Sequence, residues 1–171
     1  NRRRLEVEPW RDAMLAVSGN LDTRFGGPSS KLEDANNRRR TIYGFISRHQ
    51  LNELLRLFDF PDPNITSDRR TSTTVPLQQL FVLNSGFMNR QAKALVKRLE
   101  LDTPGGGSPR IIRAYQLLFA RKPTDAELAI GEEFLAEVSS GSDTPKQDKA
   151  LAPWLQYALA LLGSNEFTYI D

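Results

Sequence analysis

The chain has 171 residues, 39% of them hydrophobic, and carries 23 Lys+Arg against 21 Asp+Glu, a net charge of +2. Length and apolar content fit one globular domain and exclude a highly charged disordered chain. Cysteine is absent and histidine occurs once, which excludes disulfides, thiol catalysis, iron–sulfur ligation, cysteine zinc sites and a two-histidine metal site within these residues.

The first helix is predicted to start near Glu8-Pro9, where proline at an early helical position costs no hydrogen bond. Trp10, Ala13, Met14 and Val17 then recur on one face, and Gly19 is a C-terminal stop. Residues 26–40 read as loop. "TIYGFI" (41–46) fits either a short strand or an extended lead-in. The second helix is predicted over "RHQLNELLRLF", with Leu51, Leu54, Leu55 and Phe58 as its apolar stripe, ended by Asp59, Pro61 and Pro63. A long polar stretch without periodicity follows to about Thr74. The third helix begins at Pro76, with Thr73 or Thr74 as cap and Leu77, Leu80, Phe81 and Asn84 on one face.

Ser85 should cap a fourth helix carrying Phe87, Ala92, Leu95 and Leu99. "DTPGGGSP" (102–109) is a loop. Beyond it, Ile111, Ala114, Tyr115 and Leu118 form a helical face. "TDAE" (124–127) is a capping box in which Thr124 caps and Glu127 reaches back, opening a helix with Leu128, Phe134, Leu135 and Val138. "SSGSDTPKQD" (139–148) reads as a linker. The last helix shows Leu151, Trp154, Leu155, Ala158, Leu159 and Leu162. The expected fold class is all-α: six or seven helices in an irregular orthogonal bundle with long ordered loops and at most a token β-strand. We expect a single helical domain over 1–171. The abrupt start without methionine or signal peptide suggests the C-terminal fragment of a larger multidomain protein. No apolar run approaches the roughly 18 residues of a membrane span.

Arginine outnumbers lysine 17 to 6. Its planar fork pairs bidentately with carboxylates, so internal partners are expected for many of these residues. The clusters Arg2-Arg3-Arg4, Arg38-Arg39-Arg40 and Arg69-Arg70 lack the basic stripe with interleaved aromatics that nucleic-acid binding would favour, and no nucleic acid is expected as partner. Glu8, Arg11 and Asp12 lie within about one turn. They suit an acid/base pair held by an arginine, or a charged helix start with an arginine–carboxylate tie, and the tie is the favoured reading. Asp59, Asp62 and Asn64 offer turn oxygens, but without the spacing, glycine or closing glutamate of a calcium loop, so Asx-turn chemistry is expected and no metal.

Arg69 and Arg70 stand among hydroxyls ahead of a helix start. They could cradle an anion there, or pair with Asp59, Asp62 or Asp68 and pin the loop. His49 beside Arg48 is read as solvated or capping. Asn64-Ile65-Thr66 matches a glycosylation tripeptide too common by chance to use. Trp10 and Trp154 are read as core. The candidate ligand site or structural network is therefore Asp59, Asp62, Arg48, Arg69, Arg70, Gln78 and Asn84.

The series "RRRLEVEPWRDAMLAVSGNLD", "GGPS", "RRRTIYGFISR", "LFDFPDPN", "RRTSTTVPLQQLFVLNSGF", "LLFARKPTDAEL" and "LLGSNEFTYID", in that order, resembles a planctomycete family. It is the domain of unknown function found at the C-terminus of large exported proteins that often also carry a planctomycete cytochrome c-like domain. The family commonly has proline where this chain has Gly86. The resemblance implies a periplasmic or cell-surface location and other domains of the parent protein as partners. It assigns no catalytic residues. Haem would be ligated elsewhere in the parent, because no Cys-x-x-Cys-His motif occurs here, and no cofactor is expected in this chain.

The expected role is thus a non-catalytic module packing on neighbouring domains. The alternative is carbohydrate binding or hydrolysis, with Asp59, Asp62, Glu8, Asp12 and Glu166 as candidate carboxylates and Arg48, Arg69 and Arg70 positioning polysaccharide. A retaining glycosidase would need two carboxyls about 5–5.5 Å apart across an open cleft.

Overall fold

The computed structural model describes residues 3–140 and 152–170. Arg2, Leu151, Asp171 and the expected linker from 141 onward lie outside the described residues. The linker's first two positions, Ser139 and Ser140, belong to a helix instead.

The described residues form eight α-helices, one 3-10 turn and one token sheet: β1 (Arg3–Arg4), α1 (Val7–Val17), the 3-10 turn (Thr41–Tyr43), α2 (Glu53–Leu57), α3 (Pro76–Asn84), α4 (Gly86–Asp102), α5 (Gly107–Phe119), α6 (Asp125–Ser140), α7 (Pro153–Leu162), α8 (Asn165–Thr168) and β2 (Tyr169–Ile170). The fold is predominantly helical, with one helix more than the highest number expected. The addition is α8, a single turn whose Ser164 hydroxyl accepts the Phe167 N–H at 3.3 Å. β1 and β2 pair antiparallel, Arg3 opposite Ile170 and Arg4 opposite Tyr169, which joins the two ends of the described chain.

Local signals account for most boundaries. The Ser85 hydroxyl accepts the Met88 N–H at 3.2 Å and starts α4. Thr124 and Glu127 form the expected reciprocal box: the Glu127 carboxylate accepts the Thr124 N–H at 2.7 Å, and the Thr124 hydroxyl accepts the Glu127 N–H at 3.3 Å. Two predicted boundaries differ. α2 is five residues long because the Asn52 side-chain oxygen Oδ1 accepts the Leu54 and Leu55 N–H groups, which sets the helix start well after Arg48. α3 starts at Pro76 as expected, but neither threonine caps it. The Val75 N–H is met by the Gln78 side chain, and Thr73 is engaged elsewhere. "TIYGFI" is neither of the two expected forms: its first half is the 3-10 turn, and Gly44 then makes one isolated bridge to Ser30.

The core centres on α4, whose Met88, Ala92, Leu95 and Leu99 follow helical spacing and are at most 1% exposed. Full burial of each larger side chain contributes about 1.5–3 kcal/mol. α4 packs chiefly on α7, and also on α1, α3 and α5. Trp10 of α1 is 1% exposed and stacks on Phe58 at 4.8 Å between ring centres, as its reading as core requires. Trp154 is only half-buried, with the Arg110 guanidinium 5.1 Å from its ring centre.

Arg11 is 1% exposed, and its partners are not Glu8 or Asp12. It donates to the carbonyls of Asn37 at 2.9 Å and Arg39 at 3.0 Å, and to the Thr41 hydroxyl at 3.2 Å. Asp12 accepts both the N–H and the O–H of Thr41, at 2.7 and 2.6 Å. These two α1 side chains replace missing secondary structure in the loop between Ser18 and Asn52. Arg11 makes no hydrogen bond to either carboxylate because the loop carbonyls take its donors; Asp12 acts on it only through charge and is itself bridged by Arg40 at 3.5 Å.

Candidate functional site

The segment from Asp59 to Gln78 is anchored at both ends by one arginine that lies far upstream. Asp59 has φ 61°, the left-handed region that short polar side chains tolerate better than most. That turn aims its carboxylate at Thr73, which donates its N–H at 2.8 Å and its O–H at 2.7 Å. Arg4 adds an N–H at 2.6 Å to the same carboxylate, with side-chain exposures of 8% for Arg4 and 15% for Asp59. Arg4 also donates to the Thr73 carbonyl and to the Gln78 side-chain oxygen. Gln78 in turn donates to the Leu57 carbonyl at 2.9 Å. One guanidinium thereby joins β1, the end of α2, the end of the polar segment and the first turn of α3. Burial works to raise the Asp59 pKa, but the Thr73 and Arg4 donors outweigh it and hold the carboxyl below its ordinary value.

The middle of the segment is tied by Arg70. Its guanidinium contacts Glu6 at 2.9 Å and takes Glu8 bidentately at 2.9 and 2.8 Å, and it lies 5.2 Å from the centre of the Phe60 ring. This corrects the expectation that Arg69 and Arg70 pair with Asp59, Asp62 or Asp68. The partners are the two glutamates at the start of α1, which the β1–α1 turn holds against the segment. Burial raises the Glu8 pKa, yet the Arg70 hydrogen bonds, a backbone N–H and the Arg70 charge together outweigh it and the carboxyl stays below its ordinary value. Arg69 is exposed and has no carboxylate partner among the described residues.

The remaining candidates are dispersed. Asp62 accepts the Asn64 N–H at 2.9 Å and its side-chain amide at 3.0 Å, an Asx turn. Arg48 is exposed, and its carbonyl accepts from Asn64 at 2.9 Å. His49 is exposed. Asn84 bonds its own helix through the Leu80 carbonyl at 3.1 Å. Glu166 is over forty residues from its partner: Arg121 holds it at 2.7 Å through two N–H groups and holds Glu127 at 2.7 and 2.8 Å with the other edge of its fork. Sequence reasoning missed Arg4, Glu6 and Arg121 as ties, and named Arg11 but not its loop partners. The only sequence signal for Arg4 was its place in a short basic cluster. Among the described residues no group of three His, Asp or Glu side chains is placed to hold a metal ion, and no helix is long and apolar enough to cross a membrane.

Three concavities surround these ties. One, of about 750 Å³, is a groove along α3 lined by Leu57, Val75, Leu77, Leu80 and Phe81 together with Glu53, Arg56 and Asn84. Leu77, Leu80 and Leu83 are 63%, 52% and 61% exposed, while Gln78 is 4% exposed. The predicted face of α3 is therefore split: Phe81 packs edge-on against Phe58 and Gln78 is buried beside it, while Leu77 and Leu80 point outward. A cavity of about 370 Å³ lies on one side of Arg70, between Glu8, Asp12, Arg40, Ile42, Ile46 and Phe60. Another, of about 440 Å³, also lined by Arg70, lies between β1 and residues 68–72.

Fold and site together define a small helical module whose polar crossing segment is held by arginine ties and whose third helix presents uncovered leucines. Residues 1–135 match the family model described as "PSD1: Protein of unknown function (DUF1553)", and the chain belongs to that family. No curated protein and no solved structure matches it.

Proposed function

We propose that this domain is a non-catalytic packing module of a larger exported, cytochrome c-associated planctomycete protein, and that its third helix docks on a neighbouring domain of the same polypeptide. The observation that carries the reading is the stripe Leu77, Leu80 and Leu83, more than half exposed beside a groove of about 750 Å³. Contiguous apolar surface of this kind, rimmed by polar groups, is characteristic of interaction sites. Support for the exported, cytochrome-linked setting comes from the sequence resemblance. The arginine ties fit the same role, since they fix α3 and the groove before any partner arrives. Titrating the domain with the separately purified remainder of its parent, followed calorimetrically, tests this. Leu80→Glu should weaken binding at least tenfold, and Ile130→Glu, an exposed substitution on α6, should leave it unchanged. Equal affinity for Leu80→Glu and the parent domain would sink the proposal, and so would no binding at all.

A carbohydrate-directed role is the second reading, favoured by the cavity that brings Phe60, Arg40, Glu8 and Asp12 together. Binding suits it better than hydrolysis. A glycosidase's general acid needs a raised pKa, whereas Glu8 is held below its ordinary value by Arg70. A glycan-array screen separates the two readings.

A further inference from the structure

We infer that the cavity of about 440 Å³ between β1 and residues 68–72 is a binding site for a small ligand carrying an oxyanion, such as a carboxylate or sulfate group. The inference is independent of the packing role and stands if that role fails. Four arginines line this cavity, and they fall into two kinds. Arg4 and Arg70 are engaged by Asp59, Glu6 and Glu8. Arg3 and Arg69 have no carboxylate partner among the described residues, and both are exposed. The hydroxyls of Thr71 and Ser72 line the same cavity and are also exposed, with no hydrogen-bond partner among the described residues. Against these donors stands one carboxylate that is likewise unpaired, Asp68. Among the described residues, two unpaired cations and two unpaired hydroxyls thus face one unpaired acid, with the lining Glu6 and Asp59 already engaged by Arg70 and Arg4, and the balance favours a negatively charged guest.

Chemistry and geometry agree on the class of guest. A guanidinium presents parallel N–H groups matched to the two oxygens of a carboxylate, sulfate or phosphate, and such charge-assisted bonds are the strong ones. The cavity volume falls within the range of about 300–1,000 Å³ usual for small-molecule sites. The frame is rigid where it needs to be: Arg3 sits in a strand paired with β2, and the loop carrying Arg69 is fixed on one side by Arg70 and on the other by the Asp59–Thr73 bonds. The anion is not placed at the start of α3, as the sequence suggested. It lies across the loop from that helix, beside the N-terminal strand, because Arg70 turns toward α1 and leaves Arg69 facing β1.

The test is titration of the folded domain with sodium sulfate, glucuronate and glucose at low ionic strength, followed by amide chemical shifts. Sulfate and glucuronate should shift the Arg69–Ser72 amides and glucose should not. Arg69→Ala and Arg3→Gln should each weaken binding about tenfold, the loss expected for one charge-assisted contact of about 1.4 kcal/mol. Arg24→Ala, an exposed arginine elsewhere that pairs with Asp22, should change nothing. Both site variants change exposed side chains, and circular dichroism confirms that they fold. Glucuronate binding tighter than sulfate would identify an acidic saccharide, and equal binding a bare oxyanion. Binding that persists in both arginine variants, or shifts caused equally by glucose, would overturn the inference, as would no shift with either anion.

Discussion

Replacing Arg4 with methionine tests whether one guanidinium holds the polar segment in place. Methionine keeps an unbranched apolar stem, so packing near Phe58, whose ring centre lies 5.9 Å from the guanidinium carbon, is largely retained. Asp59 would remain as a carboxylate 15% exposed, with two Thr73 donors and no cation. Removing one member of a fully buried ion pair costs about 3–5 kcal/mol. Here the residual solvent contact and the Thr73 bonds reduce that, and a charge-assisted hydrogen bond alone is worth about 1.5–3 kcal/mol. The expected loss is therefore about 2–3 kcal/mol. With an m-value of roughly 2 kcal/mol/M, the urea midpoint should fall by roughly 1–1.5 M. Trp10 fluorescence reports on the transition, because that ring stacks on Phe58. Asp59→Asn completes a double-mutant cycle. Asparagine tolerates the left-handed backbone at this position and can still accept from Thr73, so the cycle isolates the charge. The coupling energy should be about 1–2 kcal/mol. A coupling below about 0.5 kcal/mol, the scatter of independent sites, would refute the reasoning.

Gly131 of α6 is expected to resist alanine even though alanine is the better helix former by about 1 kcal/mol. A Cβ there would meet the Tyr157 hydroxyl at 2.6 Å and the Ile111 Cδ1 at 3.2 Å. Overpacking costs about 1–3 kcal/mol, so Gly131→Ala should be net destabilising in urea unfolding, and adding Tyr157→Phe should recover most of the loss. Ala120 ends α5 with φ 56°, the position where glycine is usual. Ala120→Gly should raise stability by up to about 1 kcal/mol in thermal melts, and a decrease would contradict the strain argument. Glu127 is pulled to about 2 from an ordinary 4.5, first by the Arg121 hydrogen bonds and then by the Thr124 N–H. A carboxyl with a depressed folded pKa stabilises fully above its ordinary value and loses that contribution as pH falls through the folded one. Unfolding midpoints should accordingly drop between about pH 4.5 and 2. Glu127→Gln, which preserves the capping box, should flatten that slope, and an unchanged slope would remove Glu127 from the acid response.

The helices were legible because their signals are local. Ser85, Thr124 and Glu127 act on amides within a turn, and the stripe Ala92, Leu95, Leu99 needs only helical spacing to be read. The polar segment was not legible in the same way. Composition required that arginines find carboxylates, but partner choice is set by which elements tertiary packing brings alongside. Arg4 reaches Asp59 across 55 positions and Arg70 reaches Glu8 across 62. Aspartates nearby in sequence lost to Glu6 and Glu8 at the start of α1: Asp62 is committed to its own Asx turn and Asp59 to Thr73 and Arg4, while Asp68 stays unpaired among the described residues.

The third helix exposes a different limit. Spacing identified one face of Leu77, Leu80 and Phe81 correctly, but periodicity reports that a face exists and not what covers it. In a lone globular domain the apolar face is usually the buried one, and spacing alone left open whether that holds for Leu77 and Leu80. Here Arg4 and the Leu57 carbonyl recruit Gln78 inward, and rotation of the helix about its axis then carries Leu77 and Leu80 to the outside. The inversion carries a cost: a glutamine buried with its bonds satisfied contributes less than a buried leucine. Such an arrangement is consistent with a leucine stripe that has a use beyond this domain's own core. That ties the two sets of experiments together. If Arg4→Met released Gln78 and allowed α3 to turn its leucines inward, partner binding should fall along with the Leu80→Glu variant, although no residue of the groove itself had been changed.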